Sequence, residues 1–351
     1  MSYFEHFEWT RPAHRWLPRM AALALCLAAV LLGRAGAAEP VCPPPPAELD
    51  AETVQKGQRE ARDHGLLWRA TRGGRTIWLY GTMHAAKLEW MYTGPTVLAA
   101  LLAADTVAFE LNLLDPAIGQ RVGQAMQQPA GATPLPAGLA ARLQQQEAAV
   151  CVDAALAARL RPEVRLAMLS LLSLRGDGLE AAYGVDSYLM GLAQGLRKKV
   201  VGLETPEEQF AALLEPDPVA LTQLVEESLA DLESGRAHRG VLRLVQAWAG
   251  SRFDELNRYT EWCECADTPA QRAVLKRMLD DRNRVQVERI IQAQQQSPAL
   301  FVAVGALHMV GPQGLPALLA ARGYQVDLVA LPAQAPTSGA GERRINPVQA
   351  Q

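Results

Sequence analysis

The chain has 351 residues and a net charge of −3, so it is long enough to bury a substantial core in one large domain or two. Its charges are mixed and form no basic stripe, which argues against nucleic acid as a partner. Aromatic residues are sparse, and Ala and Leu dominate the composition. That balance favours a helix-rich protein.

The N-terminal segment has the three parts of a secretory signal peptide. Three arginines between positions 11 and 19 precede the apolar run 20–32, and small residues follow it. This order of basic, apolar and small residues is typical of a cleavable signal, and the apolar run is short for a bilayer span. We therefore predict a signal peptide at 1–38, cleaved after Ala37 or Ala38. The mature protein is then periplasmic or secreted, with no stable membrane span after cleavage.

Export changes the meaning of the cysteines, because disulfide bonds form in oxidising compartments. Without the signal, four cysteines remain, namely Cys42, Cys151, Cys263 and Cys265. They allow three pairings. A Cys263–Cys265 bond would close a very small, strained ring if that segment is helical, so links to Cys42 or Cys151 stay equally open. A zinc site made from these four lacks the usual paired spacing. We predict disulfide bonds and leave their pairing undecided.

The chain after the signal begins with a leader at 39–64. Cys42 and the four prolines after it are typical of a stiff extended segment, and 47–63 has a helical pattern. Two β-type runs at 66–70 and 76–80 flank a Gly-Gly turn, which predicts a hairpin.

The next elements predict a crossover followed by helices. A short helix at 96–104 leads into a strand at 105–111, which should lie parallel to the strand before the crossover. The pattern from 116 to 174 is helical, with a loop around 128–136.

The second half of the chain is also mostly helical. A helix at 185–196 precedes a buried-strand pattern at 199–204, and then Thr205 and Pro206 are typical of a helix cap and first turn. Helices dominate up to about position 296, and the apolar spacing at 269–296 predicts one long helix.

The last unit of the domain repeats the strand–helix–strand order. It consists of a strand at 299–305, a helix at 315–322 and a strand at 324–331. These elements close a domain at 65–331. The remaining segment, 332–351, is rich in Ala, Pro and Gly and is predicted to be a disordered tail.

Two segments more than 200 residues apart, 76–84 and 299–308, have the same pattern. Each is an apolar run followed by Gly-x-x-His, a helical pattern and another apolar run. Such a strand puts an imidazole, His84 or His308, at its C-terminal end, where open α/β sheets build their sites. The predicted fold is therefore α/β. Its sheet is built from two strand–Gly-x-x-His–helix–strand repeats at the two ends of the domain, with a large helical insertion between them, and the two histidines should converge.

Two glutamates, Glu110 and Glu204, also lie at the ends of apolar strand patterns. A glutamate in a buried run needs a cation, a hydrogen-bond donor or a metal, and a salt bridge to Arg or Lys is the alternative to a site. Together with His84 and His308 they predict a divalent-cation site with open positions for water. Because such a cation activates water and polarises carbonyls, hydrolysis is the reaction class that follows.

Other hydrolase signatures are absent from the sequence. It contains no His-Glu-x-x-His helix, no Gly-x-Ser-x-Gly elbow and no phosphate loop, which excludes ordinary zincins, the usual serine hydrolases and P-loop enzymes. Three further polar residues have ordinary explanations on sequence alone. Asp186 starts a helix, and Arg282 and Asn283 form a solvated pair on the long helix.

A set of motifs resembles the TraB/GumN family. They include Leu-Tyr-Gly-Thr-Met-His at 79–84, Phe-Glu-Leu-Asn at 109–112, Gly-Val-Asp at 184–186, Gly-Leu-Glu-Thr at 202–205, Arg-Asn at 282–283, Val-Ala-Val-Gly-Ala-Leu-His-Met-Val-Gly at 302–311, Gly314, and Ala-Arg-Gly-Tyr-Gln-Val at 321–326. They occur in order across roughly 66–331. The family is related to the Tiki proteins, metal-dependent proteases that use manganese or cobalt, and to erythromycin-esterase-like and haem-binding ChaN-like proteins.

The resemblance implies roles for particular residues. His84, His308 and Glu110 become metal-ligand candidates, and Glu204 becomes a further ligand or the general base, although the catalytic roles of the two glutamates stay unseparated. Three residues that looked ordinary become candidates for supporting the ligands or contacting the substrate, namely Asp186, Arg282 and Asn283.

These expectations combine into one predicted function and two rivals. The chain is predicted to be an exported metal-dependent hydrolase, a peptidase using a metal-activated water with Mn, Co or Zn, acting on a peptide or small-molecule substrate. The first rival is a haem-, metal- or peptide-binding protein without turnover. The second is a structural metal that merely joins the two repeats.

Overall fold

The computed structural model describes residues 42–331. The predicted signal peptide at 1–38 and the predicted tail at 332–351 lie outside this range. The described part of the predicted leader at 39–64 begins without regular secondary structure and continues as a helix. No helix within the described range is long and apolar enough to cross a membrane.

Six strands form one mixed sheet, which confirms the predicted α/β class. They are β1 (Leu66–Arg72), β2 (Arg75–Thr82), β3 (Thr106–Phe109), β4 (Lys199–Gly202), β5 (Ala299–Gly305) and β6 (Gln325–Val329). Their order across the sheet is β4-β3-β5-β2-β1-β6. The first four of these run parallel, whereas β1 pairs antiparallel with both β2 and β6.

Helices account for most of the remaining described residues. They are α1 (Ala51–Glu60), α2 (Leu88–Met91), α3 (Pro95–Ala103), α4 (Pro116–Met126), α5 (Ala137–Ala149), α6 (Ala154–Ala157), α7 (Pro162–Leu172), α8 (Val185–Gly195), α9 (Pro206–Leu213), α10 (Pro218–Glu233), α11 (Arg236–Ala249), α12 (Phe253–Asn257), α13 (Tyr259–Trp262), α14 (Pro269–Leu275), α15 (Arg282–Gln295) and α16 (Leu315–Ala321). The predicted helical regions are confirmed, with shifts of a few residues at their ends.

The predicted hairpin of β1 and β2 is confirmed, with Gly73 and Gly74 at its turn. Both glycines have positive φ, 57° and 75°, the conformation that two-residue hairpin turns require and that glycine adopts at no steric cost. The turn therefore fixes the register of β1 against β2, and the other side of β1 pairs with β6.

The three central strands are almost entirely buried, as expected for parallel strands covered by helices on both faces. Strands β2 and β5 are direct neighbours, with Gly81 opposite Val304 and Thr82 opposite Gly305. The loops that follow them therefore leave the same edge of the sheet side by side. Strand β3 pairs with the other side of β5 and runs in the same direction, as the predicted crossover requires.

The sheet also contains a strand from the middle of the chain. Strand β4 pairs with β3 at the edge of the sheet, so the segment between the first and last units is not purely helical. The predicted cap of the following helix is confirmed. Thr205 accepts from the backbone N–H of Glu208, and the Glu208 carboxylate accepts in return from the N–H of Thr205.

The predicted long helix at 269–296 contains a local change in winding. Between α14 and α15 the segment Lys276–Asp281 is π-helical. The wider turn inserts one extra residue into the helical register, a feature that is frequent near functional sites. It ends immediately before Arg282, so the face that α15 presents to the sheet differs from the one an uninterrupted helix would present.

Two disulfide bonds resolve the undecided pairing of the four cysteines. Cys42 pairs with Cys151, and Cys263 pairs with Cys265. Cys263 and Cys265 lie in a bend between α13 and α14. The strained ring that was expected for a bond between them applied only to a helical segment.

A close contact joins β2 to the turn that follows β5. At Gly81 a Cβ atom would lie 2.9 Å from Cα of Ala306, so the two backbones meet without space for a side chain. The Trp248 indole N–H of α11 donates to the Gly81 carbonyl at 2.7 Å and secures the same point from the helical layer.

We expect Gly81→Ala to destabilise the protein by about 1–3 kcal/mol, because the added methyl group forces β2 away from Ala306. Chemical denaturation measures the change. Gly191→Ala is the matched control, since nothing lies within 4 Å of that position in α8. The control is expected to be neutral or to stabilise by up to about 1 kcal/mol. Equal stabilities for the two variants would contradict the close contact.

Candidate active site

The carboxyl ends of β2, β3 and β5 meet at one edge of the sheet, where open α/β sheets form clefts. A cleft of about 210 Å³ lies there, and its walls include His84, Glu110 and Asp186. Glu110 directly follows β3, and His84 follows β2 by two residues. His308 lies in the single 3₁₀ turn Ala306–Met309 that follows β5.

Glu110 is held by donors on both of its oxygens. The backbone N–H of Gly305 donates to Oε1 at 2.8 Å. Oε2 accepts from Nη2 of Arg282 at 2.7 Å and from Nε2 of Gln209 at 2.9 Å. A carboxylate with this many donors is fixed in orientation and favours the charged form.

Arg282 joins the two glutamates into one buried cluster. Its Nε and Nη2 donate to the two oxygens of Glu204 at 2.8 and 2.6 Å, and Nη2 also reaches Glu110. Its Nη1 donates to the carbonyl of Met278, so each guanidinium nitrogen has a partner. The Glu204 side chain is only 2% exposed, and its two oxygens are engaged by the guanidinium. The alternative considered from sequence, a buried salt bridge, therefore describes Glu204 well.

The charges of this cluster shift the pKa values of its members. Burial works against the charged form of Glu110, but the neighbouring His308 and Arg282 and the Gly305 amide outweigh it and lower the carboxyl pKa to about 2. Burial likewise works against the charged form of Arg282, yet the two carboxylates raise its pKa. The low pKa of Glu110 and the raised pKa of Arg282 thus keep this pair charged at neutral pH.

The tautomer of His308 follows from its partners. Asn283 donates from Nδ2 to the carbonyl of Gln313 at 2.8 Å, so its Oδ1 must face the histidine. That Oδ1 lies 2.6 Å from Nδ1 of His308, which therefore carries the proton. Burial lowers the His308 pKa to about 4. The ring is neutral at pH 7, and the lone pair of Nε2 is free.

His84 has a corresponding arrangement on the open side of the site. Its Nδ1 lies 3.3 Å from Oδ1 of Asp186, the second residue of α8, and the imidazole is 59% exposed. The two form an ion-pair contact rather than a hydrogen bond, because Oδ1 of Asp186 has no hydrogen-bond partner within residues 42–331. Asp186 raises the pKa of His84, with a smaller contribution from Glu110. In both histidines a side-chain oxygen thus lies beside Nδ1. Nε2 of neutral His308 has a free lone pair, whereas the pKa of His84 is raised to about 9, so its Nε2 carries a proton at neutral pH that metal binding has to displace.

The donor set fits a divalent cation in part. Nε2 of His308 and Oε1 of Glu110 lie 3.7 Å apart. Two ligands of one zinc-like ion with bonds of about 2.1 Å lie roughly 3.0–3.4 Å apart, so this pair needs only a small inward movement. Between residues 42 and 331, no three His, Cys, Asp or Glu side chains are close enough together to hold a metal as they stand. His84 would have to approach the pair to complete the ligand set.

Two polar residues of the site were missed by the sequence analysis. The Thr82 hydroxyl lines the cleft and is buried without a hydrogen-bond partner in the described part of the chain. Its place between Gly81 and His84 in the first Gly-x-x-His motif was the available signal. Gln209 also lines the cleft and donates to Glu110, but nothing in its helical surroundings distinguished it.

We expect Arg282→Leu to lose about 3–5 kcal/mol of stability at pH 7, because it leaves buried carboxylates without a cation. In the wild type the Glu110 pKa, about 2, lies below the unfolded value of about 4.3. The stability that charged Glu110 contributes is therefore complete above its unfolded pKa and is lost as the pH falls through its folded pKa. In the variant, burial raises that pKa, so acid should favour folding and the stability difference should shrink as the pH falls.

Urea denaturation at pH 8, 6 and 4 measures this difference. Arg284→Leu is the matched control, since Arg284 is an exposed arginine of the same helix paired with Asp281. Its loss should stay below about 1 kcal/mol. A deficit of Arg282→Leu that is the same at each pH would contradict the assigned role of the guanidinium.

Comparison with known proteins agrees with the motifs. The model of the TraB/PrgY/gumN family matches residues 66–328, from the start of β1 into β6. No curated protein and no solved structure gives a significant match. The matched segment contains the candidate site residues His84, Glu110, Asp186, Glu204, Arg282, Asn283 and His308. The chain therefore belongs to the TraB/PrgY/gumN family.

Proposed function

We propose that this chain is an exported metal-dependent hydrolase that cleaves peptide bonds. One observation carries the proposal. His308 has its Nδ1 hydrogen-bonded to Asn283 and a free lone pair at Nε2, and His84 has Asp186 beside its Nδ1 and would bind a metal through Nε2 after losing a proton. Metal-binding histidines in proteins are oriented in this way, with the second ring nitrogen held by a carboxylate, carbonyl or amide oxygen.

The proposed ligands are His84, His308 and Glu110. Imidazole nitrogen with carboxylate oxygen suits Mn, Co and Zn, and three protein ligands leave positions open. A divalent cation bound there would supply Lewis-acid polarisation of a carbonyl and a lowered pKa for water. The excess negative charge of the neighbouring cluster favours a cation at this position.

The two glutamates are proposed to have different roles. Glu110 lines the cleft and can touch a substrate or accept a proton there. Glu204 is buried and engaged on both oxygens, so it positions Arg282, which in turn orients Glu110. A role for Glu204 as general base or further ligand would require Arg282 to release it.

The choice of a peptide substrate comes from the family resemblance, and the cleft agrees with it. Its walls combine apolar side chains such as Phe109 and Met190 with the polar groups of Thr82 and Gln209. Apolar walls with a few placed polar groups are typical of small-ligand and peptide sites. Export is supported by the two disulfide bonds, which persist in oxidising compartments.

The test is metal content and hydrolysis of a peptide library by purified wild type, His84→Ala and His308→Ala. We expect bound metal and cleavage in the wild type, and loss of about 100-fold or more in cleavage for each variant. His238→Ala is the matched control, because His238 also pairs with an aspartate, Asp177, but lies on α11 outside the cleft. Equal cleavage in wild type and both site variants would refute the proposal.

Binding without turnover is the second candidate. The observation that favours it is the pairing of Glu204 with Arg282, which removes one candidate base. Metal bound with no cleavage of any peptide would support this reading. A Soret band on haem titration that is lost in His84→Ala or His308→Ala would identify haem as the ligand instead.

We expect Asn283→Leu to weaken metal binding by about 10–100-fold, because the His308 ring loses the acceptor that fixes its tautomer. Calorimetric titration with Zn²⁺ and Mn²⁺ measures the affinity. Gln286→Leu is the matched control on the same helix, since its amide is fully buried and has no hydrogen-bond partner within 42–331. The control should bind metal like wild type, and an equal loss in both variants would point to general damage to α15.

A further inference from the structure

The Cys263–Cys265 disulfide lies beside a second cavity, separate from the cleft. This cavity has a volume of about 290 Å³, and its lining shares no residue with that of the cleft. Both cysteines line it, together with apolar side chains of α7, α10 and α11. The bond is therefore next to a space that a small group can enter.

The backbone around the bond is strained. Glu264, between the two cysteines, has φ of +52°, a left-handed conformation that non-glycine residues rarely adopt. The bond thus holds its own short segment in an unfavourable conformation, which reduction would release.

Each sulfur of this bond has a hydrogen-bond donor beside it. The backbone N–H of Cys265 donates to Sγ of Cys263 at 3.2 Å, and the hydroxyl of Tyr259 lies 3.3 Å from Sγ of Cys265. Burial raises the Tyr259 pKa to about 12, so the hydroxyl remains a donor at neutral pH. Donors at these positions stabilise thiolates, which are the attacking and leaving species in disulfide exchange.

The charged groups that line the cavity include one cation. The charged residues of the lining are Glu163, Asp231, Arg236 and Glu264. Arg236 pairs with Asp231 through Nη2, while its Nε is buried with no hydrogen-bond partner in the described residues. A guanidinium N–H near the cavity favours a thiolate formed there.

Folding protects the two disulfides to very different extents. Folding opposes the reduction of a disulfide by the same free energy by which that disulfide stabilises the fold. This stabilisation grows with the number of residues in the loop that the bond closes. Cys42 and Cys151 are separated by 109 positions, whereas Cys263 and Cys265 are separated by two. On chain entropy alone, folding protects the shorter loop on the order of 100-fold less, but the unfolded chain favours closing it by the same factor. The difference between the two bonds in the folded protein therefore comes from the strained backbone at Glu264.

We propose that Cys263–Cys265 is a redox-active disulfide that exchanges with thiols. A thiolate attacks Sγ of Cys265, which is more exposed than Cys263, the S–S bond breaks, and Cys263 leaves as the thiolate. A second thiolate then attacks the sulfur of the mixed disulfide that came from the first thiol. The products are two protein thiols and one oxidised thiol pair, so the thiols lose two electrons and the protein disulfide gains them. Attack by Cys263 on the mixed disulfide reverses the first step.

The test is a redox titration of the full chain in glutathione buffers of increasing reducing strength. Differential alkylation and mass spectrometry report the four cysteines separately. We expect an equilibrium constant for reduction of Cys263–Cys265 about 10-fold or more in favour of reduction relative to Cys42–Cys151, because opening the short ring releases the strained backbone at Glu264. Its reduction should leave the far-UV spectrum unchanged. If the two bonds are reduced together, or if Cys263–Cys265 is reduced only as the protein unfolds, the proposal is wrong.

A second arm replaces glutathione by a reduced thioredoxin-like dithiol protein and compares the two rates. Reaction with either reagent supports exchange and identifies the accessible thiol source, and reaction with neither overturns it.

Tyr259 is assigned as a positioning residue. In reduced Tyr259→Phe, the pH profile of Cys265 alkylation should shift to higher pH, whereas Tyr92→Phe, which removes a buried hydroxyl without a partner in the described chain, should leave it unchanged. Identical profiles for both variants would remove Tyr259 from the proposal.

Discussion

The pairing of Arg282 with Glu110 and Glu204 is the interaction on which the site depends. It joins the ends of β3 and β4 to α15, and Glu110 extends the connection to the end of β5 through the Gly305 amide. Two carboxylates this close would otherwise repel each other and lose their hydration. The guanidinium contacts both carboxyl groups at once and offsets their repulsion. Three carboxyl groups, Glu110, Glu204 and Asp186, lie at this edge of the sheet with two basic side chains, Arg282 and His84. Acidic groups therefore outnumber basic ones, which is the electrostatic environment that a divalent cation favours.

The same helix also determines what His308 can do. Asn283 directly follows Arg282, so one turn of α15 supplies both the cation for the glutamates and the acceptor for the imidazole. The π-helical segment Lys276–Asp281 comes immediately before them. Because it shifts the register of the following turn, it changes which residues of α15 face the sheet, and both Arg282 and Asn283 are buried there. The irregular winding is therefore part of how the site is built.

The sequence was informative wherever a pattern is local. The Gly-Gly turn, the strand at 299–305 and the capped helix after Thr205 each follow from neighbouring residues, and the structure contains them. The pairing of Glu204 with Arg282 could not be read in this way, because it joins residues 78 positions apart, and any Arg or Lys was an equal candidate. The π-helical turn was missed because apolar spacing over 269–296 averages across a single extra residue. The disulfide pairing depended on a bend that no periodic pattern predicts.

The two chemistries inferred for this chain are connected along one helix but remain separable. The bend that contains Cys263 and Cys265 leads directly into α14, and the π-helical segment Lys276–Asp281 continues from α14 to Arg282, the first residue of α15. However, the start of α14 is secured without the disulfide, because Thr268 and Gln271 form a reciprocal cap and Arg272 donates to the carbonyls of two preceding residues. Release of the Glu264 backbone can therefore be absorbed within the bend. On this argument, reduction of the bond changes the second cavity and leaves the Arg282 cluster in place, so each site can be tested in the presence of the other.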